Sequence, residues 1–175
     1  MQAKLTDRGS KELSVGQLAS IACLLEVAAP KPGNVHRSAD FEDMTFQDFQ
    51  LSAIAVGPAL DRAVSEGVGA AILGAIEATR QVTIANTNLG LVLLLAPLAA
   101  VPAGQPLLEG IPGVLDALTA VDASLVYRAI QLTQPGGLGT VDQMDVNDTP
   151  PGDLLVAMHD ARERDMIARQ YSDHY

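Results

Sequence analysis

The sequence predicts an all-α protein, a single-domain bundle of about seven helices around a central apolar helix. Three observations predict it. Apolar residues recur at helical spacing along most of the chain. The one β-branched cluster, Val82-Thr83-Ile84, is too short to demand a strand, and no longer run alternates apolar with polar residues. Aromatics make up 3% of the residues while apolar residues make up 48%, so the core must be assembled from Ala, Leu, Val and Ile. Small aliphatic side chains of that kind suit closely packed helices.

The first helix is expected from Leu13 to Ala29, with Leu18, Ile21, Leu24, Leu25 and Ala28 as its apolar face. Glu26 shares a face with Ala19, Ala22 and Cys23, a position that fits a niche between helices. Pro30 and Pro32 end the helix, because proline lacks an N–H and restricts the residue before it. A turn-rich loop follows to Asp43. Thr45 starts the second helix with Asp48 three residues on, a capping-box pattern. Phe46, Phe49, Ile54, Val56 and Leu60 are its apolar positions, and Gly57-Pro58 predicts a kink or break.

Gly67 to Arg80 reads as a third helix, with Gly69 and Gly74 allowing a neighbour to approach closely. Asn86, Thr87 and Asn88 are suitable caps for the next helix, Leu91 to Ala100. That stretch is apolar all round and is expected to be central, with Pro97 kinking or ending it. Val101 to Pro112 reads as a Pro/Gly-rich connector. Two short helices are expected next, Gly113 to Ala120 and Asp122 to Thr133, with Asp122 capping the second. Gln134 to Gly152 is a long loop, and Asp153 to Tyr171 a charged closing helix. Met1 to Ser10 is polar and is expected to be a disordered tail.

Charge and composition exclude several roles. The formal net charge is −10, so the basic footprint of a nucleic-acid binder is missing, and stacking residues are few. The longest apolar run, Leu91 to Val101, is too short to span a bilayer. No signal-peptide pattern opens the chain. These features read as a cytoplasmic protein without membrane or nucleic-acid partners. The single cysteine, Cys23, reads as a buried, inert thiol. Ala- and Gly-rich helix faces are compatible with a helical homodimer.

Three constellations can carry chemistry. The first is Glu26 with Lys31, His36, Arg37, Asp40, Glu42 and Asp43. Lys31 and Arg37 can hold phosphates, and Glu26 and Asp43 can hold a metal or act as a general base. The alternative is a solvated loop whose charges pair with each other. The second is Asn86-Thr87-Asn88-Leu89-Gly90 at the mouth of the apolar helix, where free N–H groups favour an anion. The alternative is a plain cap. The third is Gly136-Gly137-Leu138-Gly139 with Asp142, Asp145 and Asp148. It lacks P-loop order, and its acids can bind Mg²⁺ or Ca²⁺ or be a plain acidic loop. Near the C-terminus, Asp165 and Arg169 are spaced to pair on a helix surface, and His159 and His174 read as isolated and exposed.

Together these segments resemble the triphosphoribosyl-dephospho-CoA synthase family. Glu26-Val27 followed by Pro30-Lys31-Pro32-Gly33-Asn34-Val35-His36-Arg37 is similar to that family's E-V and P-K-P-G-L-V-D-R. Asp43-Met44 matches its downstream D-M. Asn86-Thr87-Asn88-Leu89-Gly90 stands where the family has N-T-H-K-G. The resemblance is strongest over residues 11 to 100 and weaker beyond. It implies an all-helical enzyme that moves the triphosphoribosyl group of ATP to dephospho-CoA and releases adenine.

The resemblance further implies Glu26 and Asp43 as catalytic carboxylates or Mg²⁺ ligands. It implies Lys31, Gly33, His36, Arg37, Asn86, Thr87, Asn88 and Gly90 as substrate-binding residues. Mg²⁺ is expected to accompany ATP, and the partners are ATP and a dephospho-CoA-like acceptor. Asn88 and Leu89 replace the family's His and Lys, and His36 replaces its Asp. These departures resemble a shorter, divergent branch in which a C-terminal region of the family is missing and the acceptor differs. A nucleotide-processing enzyme with another acceptor, or a non-catalytic helical binding protein, are the competing readings.

Overall fold

Short polar signals set where the helices begin and end. The computed structural model describes residues 12–133 and 152–175. Among them it has α1 (Val15–Ala28), α2 (Phe46–Ala55), α3 (Gly57–Leu60), α4 (Ala63–Glu66), α5 (Val68–Val82) and α6 (Leu89–Ala99). It continues with α7 (Leu107–Asp116), α8 (Ala120–Thr133), α9 (Leu154–Ala161) and α10 (Met166–Asp173). The chain is all-α, as expected. Extended pairing among the described residues is limited to two isolated bridges, His36 with Ala39 and Phe41 with Met44. The Gly136–Gly139 stretch, Asp142, Asp145, Asp148 and the Met1 to Ser10 tail lie outside the described residues.

Serine and threonine boxes open two helices. Ser14 accepts from the Gln17 amide while Gln17 accepts from Ser14, and Thr45 and Asp48 do the same for α2. The expected break at Gly57-Pro58 is present, with α2 ending at Ala55 and a short α3 following. The apolar helix α6 packs against α1, α3, α4, α5, α7 and α10, which makes it central. Pro97 lies in its last turns and lacks the N–H that would bond the Leu93 carbonyl four residues back. The fully buried Tyr171 hydroxyl donates to that carbonyl at 2.7 Å. Tyr175 donates to the Leu94 carbonyl at 2.6 Å, so α10 is tied to α6 where the proline opens it.

Several expectations are corrected. The first helix buries Gly16, Ala19, Cys23 and Val27, and its large apolar residues Leu18, Ile21 and Leu25 are exposed. The cause is a close crossing with α3, where a Cβ on Gly16 would collide with the Gly57 carbonyl. Only the small-residue face fits there. The segment Val101 to Pro112 is not wholly a connector, because α7 starts at Leu107 behind Pro106 and runs through Gly110 and Pro112.

Asp122 is not the cap of α8. Thr119 is, with Asp122 three residues on as its reciprocal partner: the Asp122 carboxylate accepts from Thr119 N at 2.9 Å and Oγ1 at 2.7 Å. Its other oxygen accepts from Gly69 N in the first turn of α5, also at 2.9 Å. Burial pushes the Asp122 carboxyl up, but the Thr119 and Gly69 hydrogen bonds outweigh it and leave the group below its ordinary value. The closing helix is two, α9 and α10, because Asp165 caps α10 through Ile167 N and Ala168 N. Arg169 therefore pairs with Asp173 rather than with Asp165. His159 and His174 are not isolated, since they contact Ser172 and Asp116. Cys23 is buried as expected, and burial raises its thiol to about 11, with the Glu26 charge adding to the effect. Among the described residues, no single helix is long and apolar enough to cross a membrane.

Candidate functional site

The last turn of α1 and the loop after it form a small polar cluster. Glu26 is half-buried, one turn after the buried Cys23 and next to the buried Val27. The Pro30-Lys31-Pro32-Gly33 turn folds Lys31 back onto it. The Lys31 ammonium donates to the Glu26 carbonyl at 2.9 Å and pairs with the Glu26 carboxylate. Asn34 Nδ2 approaches the same carboxylate at 3.4 Å. Gly33 has φ +75°, which a residue with a Cβ adopts only under strain, so the turn requires glycine there. Val35 is fully buried and pins the far end of the turn to the core.

The loop then makes two tight turns in succession. His36 and Ala39 exchange backbone hydrogen bonds of 3.0 and 2.9 Å, and Phe41 N donates to Met44 O at 2.8 Å. His36 Nδ1 accepts from Ser38 N at 3.3 Å. Asp40 accepts from Phe46 N at 2.6 Å, at the first residue of α2. Arg37, Glu42 and Asp43 sit on these turns, exposed, with no hydrogen bond or ion pair to the described residues.

The second segment, residues 83–88, docks on the first half of α2. Asp48 accepts from Thr83 Oγ1 at 2.9 Å while also closing the α2 capping box. The Thr45 hydroxyl and amide, and then Thr83, hold its carboxyl below the usual carboxylate value. Thr87 Oγ1 donates to the buried Ser52 hydroxyl at 2.6 Å, and Ser52 donates to Asp48 O at 2.7 Å. Asn88 is buried and donates to Thr79 Oγ1 at 3.0 Å. It occupies the N-cap position of α6, yet its side chain does not cap the helix, so the first-turn N–H groups have no side-chain acceptor. Gly90 packs toward Ile167, whose Cδ1 would lie 3.1 Å from a Cβ there.

Two carboxylate-bearing turns and an uncapped helix start therefore share one neighbour, α2. Asp48 and Ser52 tie residues 83–88 to α2, Asp40 ties the preceding loop to it, and among the described residues no hydrogen bond runs directly from Glu26, Lys31, Arg37 or Asp43 to Asn86–Gly90. Compared with known proteins, the chain matches a family described as ATP:dephospho-CoA triphosphoribosyl transferase over residues 12–175. The chain belongs to this transferase family. No curated protein and no solved structure matches it.

Within this transferase chain, the residues named from the sequence fall into two sets. Lys31, Arg37, Asp43, Glu26 and Asn86 keep side chains that are exposed or half-exposed. Thr87 and Asn88 have theirs committed to Ser52 and Thr79, and Gly90 faces another helix. Asn34, Ser52 and Thr83 are not among the site residues expected from the sequence, and Asp48 is expected there only as part of the α2 capping box. Asn34 lies inside the Pro-Lys-Pro-Gly string and was in plain view, whereas Ser52 and Thr83 carry no local signal. No three or more His, Cys, Asp or Glu side chains cluster as a metal cage among the described residues. A groove of about 430 Å³ lies elsewhere, along the N-terminal half of α1 against α2 and α3.

Proposed function

We propose that the protein transfers the triphosphoribosyl group of ATP to a hydroxyl of dephospho-CoA or a related acceptor, releasing adenine. The observation that carries this reading is the family match across residues 12–175, which contains the Glu26–Lys31 turn. In the reaction the bond between ribose C1′ and adenine N9 breaks, and the acceptor oxygen bonds to C1′. The hydroxyl proton leaves to a carboxylate, the electron pair of the broken bond goes to adenine, and the departing base takes up one proton, from that carboxylate or through solvent, and leaves as neutral adenine.

Positive charge grows on the ribose as the bond breaks, and a carboxylate near it lowers the barrier. Glu26 and Asp43 are the two carboxylates assigned to this work and to taking the acceptor proton. Lys31 is half-exposed, so its ammonium can exchange the Glu26 carboxylate for a phosphate oxygen, which frees Glu26 as the triphosphate arrives. Arg37 has no ion-pair partner among the described residues and offers a bidentate fork to phosphate. Asn86 and the first-turn N–H groups of α6 add neutral donors, while Thr87 and Asn88 hold that segment in place. Gly33 and His36 shape the turn that presents Lys31 and Arg37.

Mg²⁺ is usually held by one or two carboxylates together with substrate phosphates and water. Asp43, exposed and without a partner among the described residues, and Glu26 are the carboxylates that would hold it. When bound, Mg²⁺ neutralises phosphate charge, which matters for a chain of net charge −10.

The test is incubation with ATP, Mg²⁺ and dephospho-CoA, with adenine followed by chromatography. Adenine release that requires the acceptor is expected, and Glu26→Gln and Asp43→Asn each lower it about 100-fold or more with helical circular dichroism unchanged. Full turnover by both variants removes those acids from the mechanism. A second reading keeps the chemistry and changes the acceptor. It is favoured by Leu89, which is buried at the start of α6 where the family resemblance leads one to expect a lysine. Adenine release that ignores dephospho-CoA but responds to another hydroxyl compound supports it.

A further inference from the structure

The chain between α5 and α6 has no backbone scaffold of its own. Among the described residues, no amide of residues 84–88 donates to a backbone carbonyl. The path of such a stretch is therefore set by side chains. Thr83 Oγ1 donates to Asp48 Oδ1 at 2.9 Å and accepts from Ala85 N at 3.1 Å, which closes the turn just ahead of Asn86. Thr87 Oγ1, just after Asn86, donates to Ser52 Oγ at 2.6 Å. On the α5 side, Arg80 reaches the Ile84 carbonyl and Asn88 Nδ2 donates to Thr79 Oγ1 at 3.0 Å. Asn86 is thus flanked by two hydroxyls, and both of them end on α2.

The two partners on α2 do more than their own helix requires. Asp48 closes the capping box with Oδ2, which accepts from Thr45 N and Oγ1, and this leaves Oδ1 for Thr83. Ser52 is fully buried and donates to the Asp48 carbonyl four residues back, a bond from which a helix gains no stability. What its hydroxyl supplies is an acceptor for Thr87. The same helix also carries the Asp43 turn. Phe41 N donates to Met44 O at 2.8 Å and Asp40 accepts from Phe46 N at 2.6 Å, which seats Asp43 two residues ahead of the cap Thr45.

We propose that Asp48 and Ser52 are positioning residues for the triphosphate of ATP, holding Asn86 and the uncapped first turn of α6 in register with Asp43. This role rests on the reaction proposed above. Neither residue touches the substrate. With their ties cut, the 84–88 segment has to be ordered by the ligand, and that ordering weakens binding rather than the chemical step. The loss is one of uniform binding, in which KM rises and kcat does not follow.

Adenine release by the full chain is measured against ATP concentration, with Mg²⁺ and saturating acceptor. Thr83→Val cuts the tie to Asp48 and leaves the capping box whole, and Ser52→Ala cuts the tie to Thr87. The double variant is expected to raise KM for ATP about 10-fold or more, with kcat within about 3-fold of the wild type. Thr83→Ser keeps the hydroxyl and should keep the wild-type KM. Asp122→Ala cuts ties that join α8 to α5 and should lower the urea midpoint with KM unchanged, which separates positioning from stability. A spin label on Ile84→Cys, 86% exposed within the segment, reads the brace without the reaction. It should be restricted in the wild-type background and mobile in the double variant, and the buried Cys23 does not compete for label. Turnover with an unchanged KM in the double variant, an equal KM rise in Asp122→Ala, or a label equally mobile in both backgrounds overturns this role alone. A wild type that releases no adenine overturns the reaction, and this role with it.

Discussion

Removing the Tyr171 hydroxyl should be costly only while residue 97 is proline. Pro97 cannot donate to the Leu93 carbonyl, and the Tyr171 hydroxyl is the donor that replaces the missing amide, at 2.7 Å and fully buried. Burial holds that hydroxyl well above the ordinary tyrosine value, so it remains a donor throughout the working pH range. Tyr171→Phe keeps the ring and strands a buried carbonyl, which costs about 1–3 kcal/mol. In a chain of this size that corresponds to a loss of roughly 4–8 °C in Tm for ~2 kcal/mol. Pro97→Ala returns the amide, so the helix itself can satisfy Leu93, and the same Tyr171→Phe change should then cost about 0.5–1 kcal/mol. The difference, a coupling of about 1–2 kcal/mol, is read from urea unfolding of the wild type, both single variants and the double variant. The cavity and helix-propensity effects of Pro97→Ala cancel in the cycle. An equal penalty for Tyr171→Phe in both backgrounds would refute the reasoning, because the hydroxyl would then be serving something other than the gap left by the proline.

Asp122→Ala removes acceptors from the starts of both α8 and α5 and should destabilise the protein by about 2 kcal/mol by urea unfolding. Because the folded carboxyl titrates below its ordinary 3.8, its contribution is complete above about pH 5 and disappears as pH falls through the folded value. The gap between wild type and variant should close on acidification, and a gap that widens contradicts the assignment. Gly16→Ala drives a Cβ into the Gly57 carbonyl and should cost about 1–3 kcal/mol, whereas Gly113→Ala, with open space around it, should add about 0.5–1 kcal/mol. Cys23, buried and raised to about 11, should react with a thiol-specific disulfide reagent at pH 8 only at the rate of global opening, and immediately in denaturant.

The parts of the fold legible in the sequence were those set by nearby residues. Thr45 and Asp48 lie three apart and cap as written, and Gly57-Pro58 breaks the helix because proline cannot continue it. Thr119 and Asp122 repeat the same box, but the sequence reads Asp122 as the cap itself, three residues late, because Asp is as common at an N-cap as Thr. Asp165 resembled an ion-pair partner and is a cap, since Asp serves both purposes at the start of a helix. The inward face of α1 was not legible. Its large residues give the stronger periodic signal, and only the crossing of Gly16 with Gly57, remote in sequence, turns the small face inward. The candidate site divides in the same way. Lys31 sits on Glu26, five residues back, which is the internal charge pairing that the solvated-loop alternative expects of this segment. Thr87 with Ser52, and Asn88 with Thr79, depend on neighbours that only the packed fold supplies.

That division has a consequence for the chemistry. Asp48 accepts from Thr45 and Thr83 at once, which holds its carboxyl below the ordinary value and holds the start of α2 against the 83–88 segment. Ser52 repeats the attachment one turn later through Thr87. The buried polar groups are thus used to fix two loops on one helix, a rigid support of the kind that precise positioning needs. The exposed Arg37 and Asp43 and the half-exposed Asn86 lie on those loops with no side-chain partner among the described residues. A charged side chain left unpaired on a braced turn contributes little to stability, because its solvated state is already favourable. In the reaction proposed above, Arg37 and, once released from Glu26, Lys31 are the cations assigned to receive the triphosphate.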